Sequence, residues 1–460
     1  MVAFGLSHAR VTAPVFHRLD TDITPLRAFL RLERDFDNAY LLESATEAGR
    51  LAEFSFIGFD PSATVRAEEG DVLFDGAMPD GSDPLREDDP LGTLRAAVRR
   101  TRPGGPRLVG GLVGYLSFEA AKYWEPDSPR FRRSGYPDME FGLYEDGIVF
   151  DHRSGEAHYY TTGRDRTKDV RDLLLRSEEP TEMEAERLGP NMRQAEFEEA
   201  VLKAKDYVMS GDVFQAVLSK RHAVRVRGHL GSFYSRLSRM NPSPYMYYLK
   251  FGRRMIVGSS PEMLVRVEGN RVETFPIAGT RPRTGDQAED ARLAAELLAD
   301  EKERAEHTML VDLARNDVGK VATHGSVRVE EFMAVQRYSH VQHLVSKVTG
   351  ELAPGHDTVD ALGAIFPAGT VSGAPKLRAT EIIEELEPCA RGPYAGAVGY
   401  FSNNGNSDFA ITIRTLVARG EEAYVQSGAG IVADSHPEKE WLETESKAAA
   451  LLRCLEGEAP

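Results

Sequence analysis

The order of apolar runs along this 460-residue chain constrains its fold more than any single motif. Residues 1 to about 170 alternate short apolar stretches with turn residues: AYLLESA, EFSFIGFDP, DVLFDG, LVGGLVGYLSF, GIVFDH and AHYYTTG. Such runs, bounded by Gly, Pro, Asp and Ser, predict strands and tight turns. Residues 176–192 (RSEEPTEMEAERLGPNM) are acidic and poor in apolar side chains, which predicts a surface linker. From Gln194 the pattern changes. AEFEEAVLKAKDYVMSGD predicts an amphipathic helix closed by Gly211, and VFQAVLSKRHAVRV predicts a strand. MYYLKF, RMIVGSS and EMLVRVEGNRVETFPIAGT are strand-like, 286–315 is a long helical region, and PKLRATEIIEELEP is a helix with Pro375 at its first turn. AVGYFSN, FAITIRTLVARG and AYVQSGAGIV predict antiparallel strands, followed by a closing helix over about 437–456. This irregular mixing argues against a regular βαβ sheet. It predicts an α+β fold, or a layered α/β sandwich.

Length allows a large core or two to three domains. Asp+Glu 72 against Lys+Arg 56 gives a net charge of −16, which argues against nucleic acid as a partner. Only Cys389 and Cys454 occur, so a disulfide framework is not expected and a reducing cytoplasm is the expected location. The first residues, MVAFGLSHARVTAPVF, are too short and interrupted an apolar stretch to be expected as a signal peptide, and no apolar run approaches the length of a membrane span.

Two Glu-x-x-Glu pairs stand out, Glu303–Glu306 and Glu440–Glu443, each within a helical stretch. Carboxylates three apart share one helix face. If the two faces meet, four carboxylates converge, and a hard cation such as Mg²⁺ is the natural counter-charge. Spacing alone equally describes a solvated helix face, since Glu196–Glu199 and Glu381–Glu384 repeat it. Other motifs are also two-sided. GTVSGAPK (369–376) is a Gly-rich turn into a helix, which holds an anion or is simply structural. GAGI (428–431) permits close backbone approach to a ligand, or ends a strand. Arg414 in a strand-like run needs an anion, either an internal Asp or Glu or a substrate carboxylate. His343 lies three after His340 without a third nitrogen or sulfur ligand nearby, so it reads as a core or acid–base histidine rather than a zinc ligand. GGLVGY (110–115) reads as structural.

In order along the chain, PIAGTRPR, DEKERAEHTMLVDLARNDVG, RYSHVQHLVS, GTVSGAPK, AITIRT and GAGIVADSHPEKEWLETESKA resemble the chorismate-utilising enzymes, and most closely the large (component I) subunits of anthranilate synthase. LLESA, FSFIG and NPSPYMYYL resemble the tryptophan-feedback site of those subunits. The resemblance implies a two-lobed layered sandwich of antiparallel sheets with helices packed outside. It implies an N-terminal region at 15–170 contributing the feedback site, an acidic linker at 171–192 and a chorismate-binding catalytic region at 193–455. It also implies Mg²⁺ on Glu306 and Glu443, with Glu303 and Glu440 supporting through water. Glu262 matches the acid for departure of the ring hydroxyl, a role that burial would favour by keeping it protonated. Arg414 and Tyr394 match residues that bind the enolpyruvyl carboxylate, helped by the Gly428–Ala429–Gly430 backbone; Thr370 and Lys447 line the pocket, and His343 matches the histidine of the pyruvate-eliminating step. The feedback site falls on Leu42, Glu43, Ser44, Pro244, Tyr245, Met246 and Tyr400.

Related isochorismate and salicylate synthases carry a lysine where Gln215 stands, and many aminodeoxychorismate synthases carry PIKGT where this chain has PIAGT with Ala278. With neither lysine, the resemblance implies ammonia as nucleophile and conversion of chorismate to anthranilate and pyruvate through aminodeoxyisochorismate, the first step of tryptophan biosynthesis. The alternative is an aminodeoxychorismate synthase component of the folate pathway. No glutaminase motif is present, so a glutamine amidotransferase subunit (component II) is the expected partner, in a heterotetramer of two of each. Glu53-Phe54 departs from the arginine-tyrosine usual before SFIG, and Trp441 is a milder departure.

Overall fold

The computed structural model describes residues 13–44, 53–76, 88–98, 105–177, 182–337 and 341–457. Two large sheets, one of twelve strands and one of eleven, are built from antiparallel pairings. Side chains alternate across each strand, so both faces must be covered. In the first sheet, Leu41, Ile57, Ile148, Tyr248 and Val257 pack outward on helices Pro25–Leu32, Gly231–Met240 and Pro437–Glu456. Their neighbours Tyr40, Phe56, Val149, Tyr247 and Ile256 point inward and meet Val113, Tyr115, Val398 and Tyr400 of the second sheet. The second sheet turns Leu112, Leu116, Phe401, Phe409 and Ile411 toward its own helices, including Glu301–Gly319 and Thr358–Ile365. The result is a helix–sheet–sheet–helix sandwich, as expected. Burial on both faces explains why Gly111–Leu116 and Ala397–Ser402 are buried at every position. Truncating an inner aromatic such as Tyr247, 1% exposed, costs about 3–5 kcal/mol.

Residues before 170 and after 193 supply strands to both sheets: Asn38–Glu43 pairs with Tyr245–Phe251, and Gly111–Leu116 with Ala397–Ser402. The stretch expected as a linker contains strand Glu184–Pro190 at the edge of the first sheet. Its charges misled the composition argument: Glu186 pairs with Arg225 at 2.5 Å across the ladder, and a charged edge strand is stable where an uncharged one invites association. The helical region 286–315 is two helices, Gln287–Ala299 and Glu301–Gly319. Asp300 ends the first and caps the second, its Oδ1 accepting the Lys302 and Glu303 amides at 3.1 Å. Among the described residues no helix is long and apolar enough to cross a membrane.

Candidate active site

Two places where strands change sheet create the centre of the site. Strand Arg254–Ser260 belongs to the first sheet and Met263–Glu268 to the second, so Pro261 and Glu262 form the crossing. Strand Ser407–Ile411 belongs to the second and Thr415–Arg419 to the first, with Arg414 in the return crossing. The crossings lie side by side. Ser259 N–H donates to the Arg414 carbonyl and Ile411 N–H to the Glu262 carbonyl, both at 3.1 Å. Arg414 is therefore not within a strand, as the pattern predicted, but at φ 52° in a left-handed turn. That conformation is uncommon for a residue with a Cβ. Alternation in ITIRT continues through the turn, so periodicity could not reveal it.

Glu262 is 8% exposed, and burial pushes its carboxyl up to about 8, with Thr370 and Lys447 pulling the other way. It holds a proton at neutral pH and can donate one. Thr370 and Glu262 line one cavity, together with Leu310 and Asp317 of the Glu301–Gly319 helix. Burial depresses the Arg414 guanidinium, opposed by Tyr394 and Glu443 through space. Among the described residues no carboxylate lies within ion-pair distance of Arg414.

Tyr394, 5% exposed, stands against the strand Glu422–Ile431. A Cβ on Gly428 would come within 2.9 Å of the Tyr394 hydroxyl, and one on Gly430 within 2.1 Å of Gln215 Nε2. Close approach, not turn geometry, favours glycine at 428, where the Leu218 carbonyl also lies within 2.9 Å, whereas at 430 the neighbour is the movable end of Gln215. Gly428, Ala429 and Gly430 pair with Ser219, Leu218 and Val217 of strand Gln215–Arg227. Lys447 donates to the Gly428 carbonyl at 2.8 Å and pairs with Glu443 at 2.7 Å.

The two glutamate helices face each other. Burial raises Glu306, and Glu303, Glu443 and Glu440 raise it further, with Lys302 opposing. Burial also raises Glu440, with Glu443 adding to it and Ser435, Lys302 and Lys447 opposing. Arg281 holds Glu303 at 3.1 Å and Asp300 at 2.8 Å, and Lys302 stands 3.8 Å from Glu306. Sequence reasoning missed these cations, although Arg281 lies in the quoted PIAGTRPR and Lys302 four residues before Glu306. Among the described residues no three acidic, His or Cys groups are already gathered at metal-binding distance. The donors are nevertheless all oxygen, mutually repelling and partly exposed, which fits a hard divalent cation such as Mg²⁺.

His343 in strand Val341–Glu351 joins this wall through strand Ile277–Pro282. Its Nδ1 lies 2.8 Å from the Gly279 carbonyl, so Nδ1 carries the proton and Nε2 is the basic nitrogen. Burial lowers its pKa, as does Arg414. A Cβ on Gly279 would approach Glu303 Oε2 to 3.0 Å, so the strand turns directly behind the glutamates. His340 lies outside the described residues.

Leu42, Glu43, Ser44, Pro244, Tyr245, Met246 and Tyr400 all line a second cavity, between the sheets. Its polar groups are largely satisfied: Arg266 pairs with Asp408 at 2.6 Å, Tyr245 donates to Asp408 at 2.9 Å, and Tyr234 to Glu43 at 2.5 Å. The Ser44 hydroxyl is buried without a partner among the described residues. Phe54 lines the same cavity; Glu53 pairs with Arg153 and lies 3.9 Å from Arg107, another lining residue.

Paired sheet crossings, an acid kept neutral, an anion-seeking arginine and facing glutamates define an enzyme site for an anionic small molecule. A family model for chorismate binding enzymes matches residues 37–453, and the chain belongs to that family. The relatives narrow this further. The protein named "Anthranilate synthase component 1" from Methanothermobacter marburgensis is 50% identical over 433 residues, 94% of this chain and 93% of the relative. Its namesake from Thermus thermophilus is 45% identical over 450 residues, 94% and 95% of the two chains. The crystal structure of anthranilate synthase component I from Streptococcus pneumoniae superposes with TM-score 0.79 at 37% identity, covering 89% of this chain and 94% of that one. The menaquinone-specific isochorismate synthase of Escherichia coli (TM-score 0.73, 20% identity, 96% and 94% covered) shares the fold.

Proposed function

We propose that the chain converts chorismate and ammonia to anthranilate and pyruvate, as the large component of an anthranilate synthase. The observation that carries this reading is Arg414, a buried guanidinium that, among the described residues, has no carboxylate within ion-pair distance, beside Tyr394 and the Gly428–Gly430 backbone. That subsite takes the enolpyruvyl carboxylate of chorismate. Glu306 and Glu443 would hold Mg²⁺, supported by Glu303 and Glu440, and when bound the ion neutralises these carboxylates and holds the ring carboxylate.

Glu262 gives its proton to the C4 hydroxyl, which departs as water while ammonia bonds to C2. The ammonium so formed loses a proton to solvent or to Glu262. Nε2 of His343 then takes the C2 proton. The C–H electrons complete the aromatic ring, and the C3–O bond breaks to release enolpyruvate, which becomes pyruvate on protonation of its methylene. Gln215 and Ala278 offer no base to activate water and no amine to attack the ring, leaving the position open to ammonia. Ammonia would come from a glutamine amidotransferase partner, in a heterotetramer of two of each. Tryptophan would inhibit from the cavity lined by Ser44, Tyr245 and Tyr400.

Equilibrium dialysis of chorismate with Mg²⁺ present tests the carrying observation. Arg414→Met should weaken binding by about 2–5 kcal/mol, the usual cost of removing one member of a buried charge pair. Equal binding by wild type and variant would refute the assignment.

A further inference from the structure

Arg391 is buried to 2% exposure, yet no catalytic step uses it. It follows the Lys376–Leu386 helix, whose end is marked by Glu387. The pair is bidentate: Arg391 Nε and Nη2 donate to Glu387 at 3.1 and 2.6 Å. Glu387 Oε1 also accepts the amide and the hydroxyl of Ser219, each at 2.8 Å. Two more guanidinium donors reach two backbones. Nη1 donates to the Val371 carbonyl at 2.6 Å, and Nη2 to the Val217 carbonyl at 2.7 Å. The flat cation lies 4.6 Å from the Phe118 ring centroid and 5.7 Å from that of Tyr394.

Each contact leads to a different part of the substrate pocket. Val371 follows Thr370. Val217 is paired with Gly430, and Ser219 with Gly428. Tyr394 is three residues along the chain and stacks beside the guanidinium. One planar fork thus ties together the Gly-rich loop, the glycine strand and the tyrosine. A lysine could supply the charge but not this directed geometry. A buried ion pair adds little net stability over well-packed apolar groups of the same size, whereas small errors in pocket geometry are costly to catalysis.

We propose that Arg391, clamped by Glu387, is a positioning residue that sets the shape of the carboxylate-binding pocket formed by Tyr394, Thr370 and Gly428–Gly430. This rests on the reading of that pocket as the chorismate site. The test uses Arg391→Lys and the milder Ser219→Ala, which removes the hydroxyl that donates to Glu387 and accepts from the Gln426 amide, each at 2.8 Å. For each, chorismate affinity is measured by equilibrium dialysis with Mg²⁺, alongside chorismate KM, kcat, the Mg²⁺ midpoint and Tm. Arg391→Lys should weaken chorismate binding and raise its KM by about tenfold or more, while the Mg²⁺ midpoint stays within about twofold. Ser219→Ala should move KM in the same direction by about threefold. A lowered Tm with unchanged chorismate affinity and KM in the folded variants would make the pair purely structural and overturn the proposal. If Arg391→Lys does not fold, unchanged affinity and KM in Ser219→Ala overturn it. Wild-type protein that binds no chorismate would instead overturn the functional reading underneath, and this role with it.

Discussion

The catalytic cleft and the cavity between the sheets are built on opposite electrostatic plans. In the cleft, like charges face each other: Glu306 and Glu440 are raised by burial and by neighbouring carboxylates, the pairs Arg281–Glu303 and Lys447–Glu443 offset this only in part, and among the described residues Arg414 has no carboxylate within ion-pair distance. In the cavity, the polar groups have already found partners: Arg266 pairs with Asp408, and the Tyr234 hydroxyl donates to Glu43. Apart from Arg107 and Ser44, most of its remaining lining is aromatic or aliphatic, including Phe54, Phe56, Tyr400 and Met246. The first site gains when charged groups arrive. The second gains when an apolar ring fills it, and the Ser44 hydroxyl, without a partner among the described residues, is the place where a polar group of that ligand would bond. Charge should therefore control the first site, and shape the second.

The comparison breaks most visibly at the glutamates. Glu306→Ala and Glu443→Ala should each leave no detectable turnover of chorismate, while Tm without added Mg²⁺ stays close to wild type or rises. Removing Glu306 takes one carboxylate out of a repelling set, and removing Glu443 does the same while breaking only the partly exposed pair with Lys447, a kind of pair worth little to stability. Near wild-type turnover in either variant would remove the metal assignment. Next in size is Glu262→Gln, which should lower kcat/KM by about 10²–10⁴-fold, the usual contribution of a positioned acid. At fixed free ammonia, wild-type activity should fall as pH rises through about 8, where Glu262 loses its proton. A flat profile between pH 7 and 9 would contradict that.

The same carboxyl has a stability signature. Its folded pKa lies above the ordinary value of 4.5, so between about 4.5 and 8 the folded state holds a proton that the unfolded state releases. Stability contributed at this position therefore declines as pH rises through that window. Glu262→Gln should gain Tm relative to wild type between pH 5 and 8.5. A constant difference across that range would mean that Glu262 is not held neutral.

The smallest expected effect sharpens the other half of the comparison. Ser44→Ala should weaken tryptophan inhibition by about three- to tenfold, one neutral hydrogen bond, with chorismate KM unchanged. If wild-type activity is insensitive to tryptophan, the cavity has another occupant.

Much of this was legible in the sequence, for reasons that differ by residue. The helix carrying Glu440 and Glu443 was expected over about 437–456 and spans Pro437–Glu456, because its apolar spacing and opening proline are local signals. The glutamates' meeting is not local: spacing places Glu303 and Glu306 on one face but says nothing of what that face meets. Glu186 was lost in an apparent linker because edge strands are as charged as linkers. Arg414 was assigned to a strand because alternation persists through a sheet crossing. Arg391 left no signal at all, since ARGPY reads as a turn and only the assembled fold shows how many backbones converge on it.

The central claim is tested most directly by mixing purified chain with chorismate, Mg²⁺ and ammonium at alkaline pH, without glutamine or a partner subunit, and following anthranilate fluorescence. The account predicts anthranilate with an equal amount of pyruvate. Folded protein that forms no anthranilate, or that accumulates an aminodeoxychorismate retaining its enolpyruvyl group, would contradict it.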